Sequence, residues 1–290
     1  MKFIIVLIFP ILFTACIKQY DYDLQGHRGA RGLVPENTIS GFLEAIDHGV
    51  DTVELDVVVT ADDKLLVSHE PWFNHQISTK PDGTPVSEEE ETGFNIYEMT
   101  YDETIRFDVG LRRQETFPDQ QLMEVSKPLL VDAIIAIEEY VEEQGKNPVH
   151  YNIETKSQPE WYGEFTPHPE EFTQLLYDEL SELGVLDRVI IQSFDPATLV
   201  AMRRIDPTVT QAMLVYENIN ALDPYINLLG YTPEIWSPFY EHVTPELVAE
   251  IHERGMTIIP WTINETEEMV RLLDMGVDGI ITDYPNRAPR

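Results

Sequence analysis

Thr52-Val53-Glu54-Leu55-Asp56-Val57-Val58-Val59 is a run of β-branched and apolar residues broken by two acids. Its composition and length read as a buried strand. Glu54 and Asp56 are two positions apart, so they project from the same side of it. Like charges on one face of a buried strand repel, and desolvating them is costly unless something neutralises them. A hard divalent cation is one solution, because Mg²⁺ and Ca²⁺ take carboxylate oxygen. An exposed strand end, with the acids solvated or paired to Lys or Arg, is the other.

Upstream lies Gln25-Gly26-His27-Arg28-Gly29-Ala30, followed by Pro35-Glu36-Asn37-Thr38. The two glycines are read as freeing the turn's backbone so that a ligand can approach the main chain. Arg28 offers a planar fork of donors suited to phosphate oxygens. His27 can move a proton near neutral pH. Downstream, Ala61-Asp62-Asp63 and the short run Lys64–Ser68 suggest a strand-turn-strand unit that folds His69 back towards Glu54 and Asp56. A third acid, Glu154, ends the strand-like run His150-Tyr151-Asn152-Ile153-Glu154-Thr155-Lys156. Taken singly, His69 reads equally as a surface histidine, and Glu154 as an ion-pair partner of Lys156.

Further strand-like runs centre near Gly26, Leu55, Ile153, Ile191, Leu214, Trp236, Ile259 and Ile281, with amphipathic helices between them. Thr38–His48 sets Ile39, Phe42, Leu43 and Ile46 on one face, with Gly49 as a stop. Pro128–Glu143, Phe172–Leu183, Pro196–Ile205, Ala221–Leu229, Pro245–Arg254 and Glu265–Met275 read likewise. Eight strands alternating with helices predict an α/β chain folded as a (β/α)8 TIM barrel, with a doubly wound sheet as the rival. The polar stretch after His69, about 70–127, breaks the rhythm and is expected as a small insertion in an early βα loop. Within it, Trp72, Phe73 and His75 either line the substrate entrance or, for the two aromatics, pack inside the insertion. The acidic run Ser87–Thr92 reads as a solvated loop.

In this order the pieces resemble the glycerophosphodiester phosphodiesterase family. They are the His-Arg-Gly turn with Pro-Glu-Asn-Thr, Glu-Leu-Asp-Val, Ser-His-Glu, Ile-Glu-Thr-Lys, Gln192-Ser193-Phe194-Asp195, Trp261-Thr262-Ile263-Asn264 and Gly276–Pro285. His69-Glu70 stands where the family has His-Asp, and Pro71–His75 lacks an arginine often found there. The resemblance implies metal-dependent hydrolysis of a glycerophosphodiester to glycerol 3-phosphate and an alcohol. It implies His27 and His69 as acid and base, Arg28, Lys156, Gln192 and Trp261 on the substrate, and Glu54, Asp56 and Glu154 on Mg²⁺ or Ca²⁺. Glu36 is expected nearby as a further ligand or a positioning acid. Asp283 is read as structural, holding a strand or capping a turn. A lysophospholipase D-like activity and a non-catalytic polyol-phosphate-binding protein are the competing readings.

The apolar run Phe3–Phe13 after Met1-Lys2 reads as a signal peptide over residues 1–15, too short to span a membrane comfortably. Cys16, the only cysteine in the chain, follows Thr14-Ala15 and resembles the acylated cysteine of a bacterial lipobox. The expected organisation is a lipidated tether at 16–23 and a catalytic domain at 24–290, on the membrane of a bacterial cell envelope, periplasmic or surface-facing. The 52 acidic residues against 19 basic ones give a net charge of −33, which argues against nucleic acid as partner and against electrostatic adhesion to anionic lipid. The small anionic substrate must then meet a local positive field, expected from the cation, Arg28 and Lys156. Nothing in the sequence sets the oligomeric state.

Overall fold

A computed structural model describes residues 19–217 and 221–289. The signal segment 1–15 and Cys16 lie outside the described residues.

Eight parallel strands run in the order β8-β7-β6-β5-β4-β2-β1-β9. They are β1 (Asp23–Gly26), β2 (Thr52–Val59), β4 (His150–Thr155), β5 (Val189–Ser193), β6 (Thr210–Val215), β7 (Ile235–Pro238), β8 (Thr257–Ile258) and β9 (Gly279–Thr282). The first strand pairs with both β2 and the last strand, β9. The remaining seam is bridged by backbone hydrogen bonds from Asp278 to Ile258 and from Ile281 to Pro260. Sequential order with a closed seam is a (β/α)8 barrel and excludes the doubly wound sheet. A ninth strand, β3 (Leu65–Val67), pairs antiparallel with the end of β2, with Val57 opposite Val67.

The helices between strands are α1 (Ile39–Asp47), α3 (Leu130–Glu143), α4 (Pro169–Leu183), α5 (Pro196–Ile205), α6 (Asp223–Leu229), α7 (Pro245–Glu253) and α8 (Thr266–Met275). Each begins at a local stop to the preceding strand. Thr38 caps α1 by accepting from the Gly41 N–H, and Asp195 caps α5 by accepting from Ala197. Pro169, Pro196 and Pro245 open α4, α5 and α7, where the missing N–H has no helical partner to lose. The inward faces, such as Phe42, Ala45 and Ile46 of α1 with Ala133, Ile134 and Ile137 of α3, join the strands in one apolar core.

Between β3 and α3, residues 70–127 form turns, short 3₁₀ segments and the single-turn helix α2 (Tyr101–Thr104). This segment has its own apolar cluster, with Phe73 stacked on Phe107 at 4.0 Å and Ile77, Val86 and Ile96 around them. Trp72 packs edge-on to Trp161 at 5.6 Å and Phe165 at 5.4 Å. His75 Nδ1 lies 2.7 Å from Glu91, and Glu90 accepts from Lys80 at 2.8 Å. The entrance role for Trp72, Phe73 and His75 is therefore not what the fold gives them: the rings brace the insertion, and His75 engages the acidic run.

Of the tether expected at 16–23, residues 16–18 lie outside the described residues. Tyr20 and Tyr22 pack against the core, and Asp23 already belongs to β1.

Candidate active site

The carboxyl ends of the strands converge on an open cleft of about 500 Å³ lined by His27, Arg28, Glu54, His69, Glu154, Gln192 and Trp261 among others. Sheet register explains the convergence. Asp56 on β2 pairs with Glu154 on β4, and Glu154 with Gln192 on β5, so side chains 138 positions apart in sequence meet. Carboxylate oxygens of Glu54, Asp56 and Glu154 lie within 4.8 Å of one another, and all three residues are buried.

The His-Arg-Gly turn fixes this cluster through its backbone. The Arg28 N–H donates to Glu54 Oε2 at 2.7 Å, while Gln192 Nε2 donates to Oε1 at 2.7 Å. Arg28 itself sits at φ +50°, in the left-handed region that costs a side-chain-bearing residue energy and marks an over-determined turn. Gly29 has φ +84°, and a Cβ there would meet the Gly41 carbonyl carbon at 2.5 Å. At Gly26 it would meet the Gly29 oxygen at 2.6 Å. Both are needed for the turn to close on itself and on α1.

Pro-Glu-Asn-Thr is a positioning segment. Asn37 Nδ2 donates to Asp56 Oδ2 at 2.8 Å, and its own oxygen accepts from the Asp56 N–H at 3.2 Å. Glu36 binds Arg28 Nη1 at 2.8 Å and Arg31 Nε at 2.5 Å. It lies outside the three-carboxylate cluster, and its contacts with the two arginines fit a positioning role. Burial pushes the Glu36 carboxyl up, but Arg31 and Arg28 outweigh it and bring it down to about 2.

Each histidine has a carboxylate on Nδ1. His27 lies 2.6 Å from Asp283, and His69 lies 2.6 Å from its neighbour Glu70. An ionised carboxylate only accepts, so each imidazole presents Nδ1–H to it and keeps Nε2 as the acceptor nitrogen. Burial, opposed by the charge of Asp283, lowers the His27 imidazolium pKa. For His69, burial and then the charges of Arg28 and Lys156 bring it to about 4. In both rings the shift favours the neutral imidazole. Asp283, read from the sequence as structural, is instead part of the site, held by Asn264 Nδ2 at 2.8 Å. Glu70, the departure from the family's His-Asp, performs the same bracing for His69. Behind it, buried Lys127 donates to Ser68 Oγ at 2.7 Å and lends its charge to Glu70.

Lys156 Nζ lies 2.6 Å from Glu154 and 3.7 Å from Asp56; Arg28 Nε lies 3.4 Å from Asp56. The cations expected to supply a positive field are thus already paired with the cluster. Six carboxylates (Glu36, Glu54, Asp56, Glu70, Glu154, Asp283) face four cations (Arg28, Arg31, Lys127, Lys156) in one network. With all six ionised the excess is two negative charges, the charge one divalent cation would balance. Burial and the neighbouring Asp56 hold the Glu54 carboxyl well above the usual range, as expected of an acid that lacks a counter-charge. An all-oxygen, buried donor set fits a hard cation.

Trp261 closes the other side of the cleft. Its Nε1 donates to the Ser237 carbonyl at 2.8 Å, and its ring packs against Phe194, Phe239 and Tyr216 with centroids 5.4, 5.7 and 6.1 Å away.

The family model for the glycerophosphoryl diester phosphodiesterase family matches residues 27–287. A glycerophosphodiester phosphodiesterase of Caldanaerobacter subterraneus is 31% identical over 259 residues, covering 89% of this chain and 93% of its own. Among solved structures, a putative glycerophosphoryl diester phosphodiesterase from Silicibacter pomeroyi is similar with a TM-score of 0.83 at 30% identity, over 93% of this chain and 92% of that one. The fold is also that of an Oleispira antarctica phosphodiesterase solved in complex with the product sn-glycerol-3-phosphate, with a TM-score of 0.72 at 21% identity, over 91% of this chain and 94% of that one.

Proposed function

The chain belongs to the glycerophosphoryl diester phosphodiesterase family, and from that premise we propose that it hydrolyses glycerophosphodiesters to glycerol 3-phosphate and an alcohol, with a divalent cation at Glu54, Asp56 and Glu154. The observation that carries this reading is the pairing of two carboxylate-braced histidines with a three-carboxylate cluster in one cleft. A binding protein has no use for two neutral imidazoles each held in one tautomer. When bound, a Mg²⁺ or Ca²⁺ ion would withdraw charge from the phosphoryl oxygens.

The residues divide the remaining work. The Nε2 of one histidine takes a proton from the attacking hydroxyl, which is water or the glycerol 2-hydroxyl. The other histidine takes up a proton on Nε2 from solvent, which the negative charge of a bound diester favours, and gives it to the leaving alkoxide oxygen. Arg28 and Lys156 stand within reach of the diester's negative charge. Gln192 holds Glu54, and through it the cluster, while Trp261 borders the space for the organic substituents. The fixed Nδ1 contacts keep each ring from rotating away as its charge changes.

The test is release of glycerol 3-phosphate from glycerophosphocholine and glycerophosphoethanolamine with EDTA, Mg²⁺ or Ca²⁺. Metal-dependent release is expected, falling by roughly 10²- to 10⁴-fold in His27→Ala and His69→Ala with unchanged circular dichroism. Near-normal turnover in both variants would remove the acid–base assignment.

At the N-terminus we infer that Cys16 is acylated after removal of residues 1–15, tethering the enzyme to the cell envelope. The support is the apolar run and the single cysteine that follows it. Membrane fractionation of the wild type against Cys16→Ser decides it: equal partitioning of the two would discard the anchor.

A further inference from the structure

The cleft has two chemically different halves. The loops after β1 to β4 bring both histidines and Arg28 to the cleft, with Arg31, Lys127 and Lys156 behind them paired to its carboxylates or buried beside them. The described residues of the loops after β5 to β8 (194–195, 216–217, 221–222, 239–244 and 259–265) contain no lysine or arginine, and Lys156 is the last lysine of the chain. Each of them instead carries an aromatic residue with an acid close behind: Phe194-Asp195, Tyr216-Glu217, Tyr240-Glu241, and Trp261 before Glu265. The arginines of this half lie outside these loops and pair with acids from there, as Arg203 does with Glu234, Arg254 with Asp223 and Arg287 with Glu265.

These aromatics form a shelf continuous with the cleft. Phe194 and Trp261 line it, and Trp261 bridges edge-on to Phe194 and at a tilt to Tyr216. Phe194 is 41% exposed and Tyr216 58% exposed, unusual for large rings with so much neighbouring apolar surface. Ring faces carry negative electrostatic potential and attract cations, ammonium groups among them. Asp195 is buried at the start of α5 and Glu265 is paired with Arg287, so what the shelf offers a positive charge is its ring faces, with no Lys or Arg in the same loops.

Resting on the proposed hydrolysis, we propose that this shelf binds the headgroup of the diester and selects alcohols bearing an ammonium group, quaternary ammonium above all. The substrate is then zwitterionic along the cleft. Its phosphate lies over the β1–β4 half and its cation against Phe194, Tyr216 and Trp261. A quaternary ammonium suits this surface because it donates no hydrogen bonds and is weakly hydrated, so aromatic contact replaces little lost solvation.

The experiment compares kcat/KM for glycerophosphocholine with that for glycerophosphoglycerol, whose headgroup is uncharged. The wild type is expected to favour the choline diester by roughly twofold to thirtyfold, the range of one or two cation–aromatic contacts. Tyr216→Leu and Phe194→Leu keep apolar surface and remove the ring, and should bring that ratio close to one. Tetramethylammonium chloride should inhibit the wild type competitively beyond a sodium chloride control, and inhibit Tyr216→Leu less. A ratio near one in the wild type, or a ratio unmoved by both substitutions, overturns the proposal. So does faster turnover of lysophosphatidylglycerol than of glycerophosphoglycerol without tetramethylammonium competition, which would make the shelf an acyl-chain surface. If both diesters are inert with metal, the hydrolytic reading fails separately. Calorimetric titration with tetramethylammonium then still decides the shelf: binding lost in Tyr216→Leu upholds it, and no binding to the wild type overturns it.

Discussion

His27 Nδ1 lies 2.6 Å from Asp283 Oδ1, a contact between residues 256 positions apart in sequence. It joins the end of the first barrel strand to the end of the last, so closing the barrel also completes one of the two histidine–carboxylate pairs. Burial pushes the Asp283 carboxyl up, but His27 and then Arg31 and Asn264 outweigh that and bring it to about 2. It is therefore ionised throughout the range in which the enzyme would work.

Asp283→Asn tests whether this contact matters for chemistry or only for the seam. An amide can offer its N–H to Nδ1 and so favour the wrong tautomer. The expected outcome is a loss in kcat of about 10²-fold or more with KM little changed. Asp283→Glu should recover part of it. Removing the carboxylate also removes its attraction for the imidazolium, so whichever limb of the pH–rate profile His27 governs moves to lower pH. A profile that keeps its shape, with kcat and KM both intact, would return Asp283 to a structural role.

The crowded carboxylates make a prediction about stability that needs no turnover. With Glu54, Asp56 and Glu154 within 4.8 Å and buried, a bound divalent cation relieves repulsion in the native state alone. Mg²⁺ or Ca²⁺ at a hundred times its dissociation constant should stabilise the fold by about 2.7 kcal/mol. Glu54→Gln should abolish the metal-induced rise in melting temperature, because it removes one of the three carboxylates that would hold the ion. A metal-induced rise of equal size in Glu54→Gln would mean that the ion binds elsewhere.

Glu36 gives a pH-dependence of stability. Its carboxyl falls from an ordinary value near 4.5 to about 2 in the fold, where Arg31 and Arg28 overcome the cost of burial. A depressed carboxyl stabilises fully above its unfolded value, and that contribution is lost as pH falls towards the folded one. The shift corresponds to about 3 kcal/mol, present above pH 4.5 and gone near pH 2. In urea titrations, Glu36→Gln should be less stable than wild type at pH 7, with the gap narrowing as pH drops from about 4.5 to about 2. A gap that stays constant across that window would show that the arginines are not held by this charge.

The sequence and the tertiary structure each decided different things. β-Branched runs, helix caps and the eightfold alternation are local, so the barrel and most helix limits were legible from the chain: Pro196–Ile205 was read at its observed bounds. That Glu54, Asp56, Glu154, His27 and His69 would meet at the strand ends was legible too, because residue types, motif order and strand-end positions are sequence properties. Glu36 and the glycines were assigned by chemistry that two residues could equally serve. Only packing shows that Glu36 holds arginines, and that Gly26 and Gly29 make room for the turn and α1. Asp283 beside His27, Asn37 on Asp56 and the shelf of Phe194, Tyr216 and Trp261 are pairings across distant segments. Periodicity records which way a side chain faces relative to its own strand or helix, whereas sheet register and barrel closure decide which other side chain it meets.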